Sequence, residues 1–425
     1  MKQRGRHRRR TRGRALRATL AGTALALTAT ATLISASQAT SGDDPGPLKP
    51  LSANVTASLG LAEDPVPGAA LDRLSAELGA PVGVSTVLAE PEGTLRDAEQ
   101  CPSGDRAALP VSPAATRAYC WDPADTRGWR PGAVTTSGDA DDDGRWGQHK
   151  VILSGWSGRG SAADLARVAF VDADDFARPD FSWALLVVPV DGGRDYRGLF
   201  SQLTGMVWYG DKLVVTTTDG DADALYVFDL DRIHRTTVAA RDVGRVADGW
   251  SAAGQRFVLP AVATYRATGT GGAQPDVLSL DRSTAPDSLV AGESVPTGAE
   301  HGSRLWRYPL AAEDSVTGPL ATGTDGRAAP EEAYRTKATG VRGVLSHQSG
   351  WYLTRPADPS DHNGSLWRQD DDGAKAAQCG AEELRHCWSG PAAPLSYWEA
   401  TGELWSQSGR TLFALPLASV DGALG

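Results

Sequence analysis

Five times along this chain a small residue opens a short apolar strand, a tight polar turn follows, a second strand returns, and a loop leads to a third. The second unit is the clearest. Gly205-Met206-Val207-Trp208-Tyr209 turns at Gly210-Asp211 into Lys212-Leu213-Val214-Val215, and Ala224 to Leu230 follows. First strands are expected at residues 132, 205, 249, 343 and 394, a spacing of 44 to 94 residues that leaves room for inserted loops. Runs of four to eight β-branched, aromatic and aliphatic residues bounded by Gly, Asp, Asn and Pro read as strands. The 48 glycines and 26 prolines supply the turns such a chain needs.

A meander of three or four strands cannot bury its own faces, so five of them must stack on one another. The expected fold is therefore all-β: a five-bladed β-propeller of three- to four-stranded antiparallel blades. The alternative is a decorated β-sandwich. Small residues opening each first strand suit the crowding near a propeller axis. Val84 to Leu88 is expected to add an outer strand to the last blade and close the ring.

The repeats resemble those of uncharacterised secreted proteins of actinomycete type. The likeness rests on Cys120-Trp121, the Gly205 to Gly210 strand, the Leu278 to Arg282 segment and the hairpin from Leu395-Ser396-Tyr397-Trp398 to Leu404-Trp405-Ser406. It covers residues 115 to 417. It implies a propeller-like fold and export, and it transfers no catalytic residue.

Nine basic residues and no acid precede Thr40, and an Ala/Leu/Thr run follows the last of them. A basic segment followed by an apolar one is the pattern of a secretory signal, so residues 1–39 are read as a signal peptide cleaved after Ala39. Residues 40–80 are expected to be a flexible linker with one short helix from Ala69 to Leu78, and residues 81–425 a single β-propeller domain. The expected location is secreted, extracellular and soluble. Beyond Thr40 the chain holds 33 basic and 52 acidic residues, a net charge of −19. That balance argues against nucleic acid or an anionic membrane surface as a partner, because both demand a cationic patch. The expected partner is a polar small molecule or glycan, or an extracellular protein, met by a monomer.

Export makes disulfides the expected state of the four cysteines, Cys101 and Cys120 near one end of the folded region and Cys379 and Cys387 near the other. Local pairing and two cross-pairings are all open. Neither pair has the spacing of a zinc site.

Three groups of residues carry candidate chemistry. Asp139, Asp141 and Asp143, followed by Gly144, match the opening of a calcium loop. The match ends at Gly147 and Lys150, where further ligands should stand, so the choice is between calcium and a solvated acidic turn, with no other cofactor expected. Asp219, Asp221 and Asp223 repeat the alternation without the glycine, and Asp370 to Asp372 read as a turn. Loops entering the first strands or joining second to third strands gather Arg130, Trp156, Gln202, Asp219, Asp248, Arg342, Arg355, Asp361 and His362. Cations, acids and an aromatic together suit a polar ligand or sugar. Trp208 and Trp398 are further candidates for stacking against a sugar ring. A glycan- or lactone-hydrolysing enzyme needs two facing carboxylates, and an interaction scaffold needs a broad apolar patch. Asp248 and Glu399 flank predicted first strands, but no regular carboxylate position recurs, so no catalytic residue is named.

Overall fold

A computed structural model describes residues 44–110, 112–160, 165–217, 224–269, 274–311, 318–356, 363–379, 387–389 and 394–425. The expected signal peptide, Asp219, Asp361 and His362 lie outside the described residues. The structure is mostly β, built from several antiparallel meanders.

The first meander holds strands Trp129–Thr136, Val151–Gly158, Ala166–Asp172 and Asp180–Val190, with Asp195–Gly198 beyond them. The second runs Met206–Tyr209, Lys212–Thr216, Ala224–Asp229 and Phe257–Ala267. Val277–Asp281, Ser288–Gly292, Arg304–Pro309 and Glu332–Arg335 make the third. Gly343–His347, Gly350–Pro356, Asn363–Gln369 and Ala374–Ala376 make the fourth. In the fifth, Leu395–Trp398, Glu403–Ser408 and Thr411–Pro416 are completed by Arg117–Cys120 and Arg96–Asp97 from far upstream. The first two meanders are joined through a parallel contact between Phe257–Pro260 and Ala184–Val187.

Local chemistry explains the hairpins. Tyr209 faces Lys212 across a two-residue turn in which Gly210 has φ +57°, a conformation open to glycine. Central strands read as nearly continuous apolar runs because both faces are covered. Every residue of Val151–Gly158 is buried. The first strands touch in cyclic order: Trp129–Thr136 meets Met206–Tyr209, then Val277–Asp281, Gly343–His347 and Leu395–Trp398, which returns to Trp129–Thr136.

Aromatic side chains fill the seam between the first and fifth meanders. Trp121, Trp156 and Trp183 lie within 6.0 Å of one another centroid to centroid, with Trp398 and Trp405 in the same buried cluster. Arg167 lies over the Trp129 and Trp183 rings at 4.0 and 3.6 Å. Burial lowers its pKa to about 9, and the Glu92 and Asp125 carboxylates oppose that fall. Truncating a fully buried Trp of such a cluster to Ala costs about 3–5 kcal/mol.

Three expectations are corrected. Val84–Leu88 is a helix, not a closing strand. Its buried residues Val84, Val87 and Leu88 follow helical spacing, which β-branched composition had masked over so short a run. The expected third first strand at Gly249 belongs instead to an outlying hairpin, Val243–Val246 with Gly249–Ala252, and Val277–Asp281 takes its place at the centre. Within the expected linker, Lys49–Pro50 pairs with the third meander and Leu61–Pro65 with Phe257–Ala267. An edge strand needs only a partner with unpaired backbone groups, so it carries little signal of its own. The helix of this region spans Gly68–Leu78. Both local cysteine pairs are bonded, Cys101 to Cys120 and Cys379 to Cys387.

Candidate functional site

A cleft of about 520 Å³ lies where the first strands of several meanders finish. Each meander but the fourth sends a polar group to it. Tyr209 is the last residue of the second first strand, and Arg282 follows the third. Asp287 precedes Ser288–Gly292, Asp142 follows the helical turn Ser137–Ala140, and Glu399 follows Leu395–Trp398. These residues line the cleft together with Pro286, Leu310 and Ala311.

Arg282 organises this set. Its Nη1 donates to Asp142 and, at 2.9 Å, to Asp287 Oδ2, and its Nη2 donates to the Asp139 carbonyl at 2.8 Å. Its guanidinium carbon lies 5.5 Å from the Tyr209 ring centroid. Burial raises the Asp287 pKa above the ordinary carboxylate value. Arg282 opposes that rise, while Asp142, Asp281 and Glu399 add to it. Three carboxylates against one guanidinium make the cleft a net acceptor of hydrogen bonds, with an aromatic ring at one wall.

The floor is rigid. Asp281, fully buried, accepts from Arg307 Nη1 at 3.3 Å and from the Ser283 amide and hydroxyl at 2.8 and 2.5 Å. The Ser283 hydroxyl in turn accepts from the Gln348 amide at 2.7 Å, which ties the third meander to the fourth.

The sequence-predicted site residues are scattered. Arg130 and Gln202 come together, Nη1 to Oε1 at 3.3 Å, at the opposite end of the first strands. Arg342 is exposed just before Gly343–His347, close enough to Asp276 to lower its pKa against a larger rise from burial. Arg355 stacks over the Trp367 ring at 5.1 Å. Asp248 is exposed in the outlying hairpin, remote from the first strands. Trp156 is corrected from ligand platform to core: it is fully buried, its Nε1 donates to Ser154 Oγ at 2.7 Å, and Trp208 and Trp398 are equally buried. All three occupy strands covered on both faces.

Asp139, Asp141 and Asp143 do not assemble as a calcium loop. Asp139 is buried and accepts from Thr135 Oγ1 at 2.5 Å and Ser396 Oγ at 2.8 Å, whereas Asp141 and Asp143 are exposed and accept backbone amides of the turn. Asp139 lies inside the helical turn Ser137–Ala140, which buries it, while the other two follow that turn into solvent, so the set does not fit a shared cation. Among the described residues, two other trios of carboxylates lie within 4.8 Å of one another. In one, the Lys212 ammonium sits 2.6 Å from Asp211 and 3.3 Å from Asp229, supplying the positive charge itself. The other is the turn at Asp370, whose Oδ1 accepts the Asp372 and Gly373 amides.

The candidate ligand residues read from the sequence lie in loops that enter the first strands or join second to third strands. The described cleft lies where the first strands end, and its signal is a polar or aromatic residue recurring there: Tyr209, Arg282 and Glu399. No protein-family description matches this chain, and no curated protein matches it.

Proposed function

We propose that this protein is an exported five-bladed β-propeller that binds a neutral polyhydroxylated ligand, a glycan or cell-envelope saccharide, in the cleft between Tyr209, Arg282, Asp287 and Glu399. The cyclic packing of five first strands supports the propeller reading. The basic and apolar opening of the sequence and the two disulfides support export. Among the described residues no helix is long and apolar enough to cross a membrane.

The observation that carries the ligand class is the donor set. Carboxylates accept hydroxyl protons, a guanidinium donates to ring and hydroxyl oxygens, and an aromatic ring offers an apolar wall for C–H faces. The excess of carboxylates disfavours anionic ligands and leaves neutral hydroxyl-rich ones.

The test is a melting-temperature screen of residues 40–425 against neutral oligosaccharides, since a ligand at 100 times its Kd stabilises the folded state by about 2.7 kcal/mol. A saccharide-specific rise in the parent protein, weakened at least tenfold in Kd by Tyr209→Leu and by Glu399→Gln, is the expected result. No rise with any neutral saccharide, or equal rises in parent and variants, overturns the reading.

A further inference from the structure

Three side chains from separate elements meet at the surface of the first meander. Ser85 is the second residue of the helix Val84–Leu88. Its exposed hydroxyl lies 2.8 Å from His149 Nε2, and His149 Nδ1 lies 3.0 Å from Asp174 Oδ2. Hydroxyl, imidazole and carboxylate in that order are a nucleophile, its general base and the group that holds the base.

Each member is fixed by its own surroundings. Val84, Val87 and Leu88 sit in the buried cluster shared with the first two meanders, which anchors the helix and leaves Ser85 facing outward. His149 and Trp146 exchange backbone hydrogen bonds of 3.0 and 2.8 Å across the two-residue turn Gly147-Gln148, in which Gly147 has φ +59°. Asp174 follows strand Ala166–Asp172; its Oδ1 accepts the Lys150 amide at 3.0 Å, and its own amide donates to Asp172 Oδ1 at 2.9 Å. Arg145 Nη1 stands 3.6 Å from the same Oδ1, so one carboxylate oxygen serves the scaffold and the other the imidazole. A carboxylate only accepts, so Nδ1 carries the ring hydrogen, and in the neutral ring Nε2 accepts from the Ser85 hydroxyl. That is the tautomer a general base acting through Nε2 requires.

We propose that Ser85, His149 and Asp174 form a hydrolytic site that cleaves short-chain oxyesters, acetyl esters among them. The proposal goes beyond ligand binding in the cleft at the strand ends and does not depend on it. Ser85 Oγ attacks the ester carbonyl carbon as its proton passes to His149 Nε2, and Asp174 accepts the Nδ1 hydrogen of the resulting imidazolium. The tetrahedral intermediate collapses with expulsion of the alkoxide, which takes the Nε2 proton and leaves as the alcohol. Water then attacks the acyl-serine, giving a proton to Nε2, and collapse releases the carboxylic acid and returns that proton to Ser85. Only ester and water are consumed. Ser85 and His149 are the catalytic residues, and Asp174 is a positioning residue. The His149 side chain is 30% exposed, so a carbonyl reaches the pair from solvent. A short acyl chain suits such an open site, whereas a long one needs an apolar groove.

The experiment treats the protein with a fluorophosphonate, which phosphonylates an activated serine with loss of fluoride, and maps the adduct by peptide mass spectrometry. Hydrolysis of p-nitrophenyl acetate is followed in parallel, with rates counted per folded molecule from melting curves. An adduct on Ser85 is expected, with turnover falling on the order of a hundredfold in Ser85→Ala and in His149→Gln. Asp174→Asn should lower kcat about tenfold or more with KM unchanged and slow adduct formation by the same factor, an effect that a merely structural side chain would not have. No adduct on Ser85, or hydrolysis undiminished in Ser85→Ala or His149→Gln, overturns the proposal.

Discussion

Asp139 shows how one side chain can be legible as a residue type and illegible as a role. Its carboxyl accepts hydroxyls from the first and fifth meanders, and Thr135 Oγ1 also accepts the Trp208 amide of the second at 3.1 Å. Burial pushes its pKa up to about 6, with the Thr135 and Ser396 hydrogen bonds opposing the rise. A carboxyl raised in the folded state binds its proton more tightly there than in the unfolded chain. Its favourable contribution is thus complete below about pH 4 and is lost as pH rises through about 6. Parent protein should lose on the order of 3 kcal/mol of stability between pH 4 and pH 7 relative to the Asp139→Asn variant, as read by denaturant unfolding across that range. Parallel pH profiles would contradict this. Sequence alone sees four acids in six residues and suggests a cation. Whether alternating acids converge depends on backbone path, and here a helical turn sends Asp139 inward and leaves Asp141 and Asp143 in water.

At the scale of elements, hairpins are written locally and edge strands are not. The hairpin of Met206–Tyr209 with Lys212–Thr216 follows from an apolar run, a glycine of positive φ and a second run. Leu61–Pro65 has no such pattern, and its backbone pairing comes from Phe257–Ala267, distant in sequence. The strand Arg117–Cys120 is held from two directions, by its neighbours in the fifth meander and by the bond from Cys120 to Cys101. The sequence separation of 19 residues implies that replacing both cysteines by Ser costs about 3 kcal/mol, measurable by denaturant unfolding of parent and variant. A change below about 0.5 kcal/mol would mean that the staple constrains little in the unfolded chain.

Across the whole molecule, the decisive feature is that strands from well before the first meander complete the fifth. Tyr119 lies opposite both Leu412 and Asp97, so its strand is interior to the sheet. Tyr119→Pro removes a ladder donor there and should cost about 3 kcal/mol or more. If closure makes the five meanders one cooperative unit, hydrogen exchange should accelerate equally in Trp405 and in Leu153 of the first meander. Acceleration confined to the fifth meander would show that the units unfold separately.

Strand character, turn positions and the abundance of short meanders are properties of windows of roughly ten residues, where alternation, β-branching and glycine act directly. Those were readable from the chain, as was the proximity in sequence that favours each cysteine pair. The order in which sheets meet is set by long-range burial, and it alone decided that Val277–Asp281 and not Gly249–Ala252 lies among the first strands. The cleft is further still from local encoding. Asp142, Tyr209, Arg282, Asp287 and Glu399 share no motif, and they meet because each lies at or next to the end of a strand or, for Asp142, just beyond the helical turn Ser137–Ala140, and the packing of the meanders brings those ends to one place.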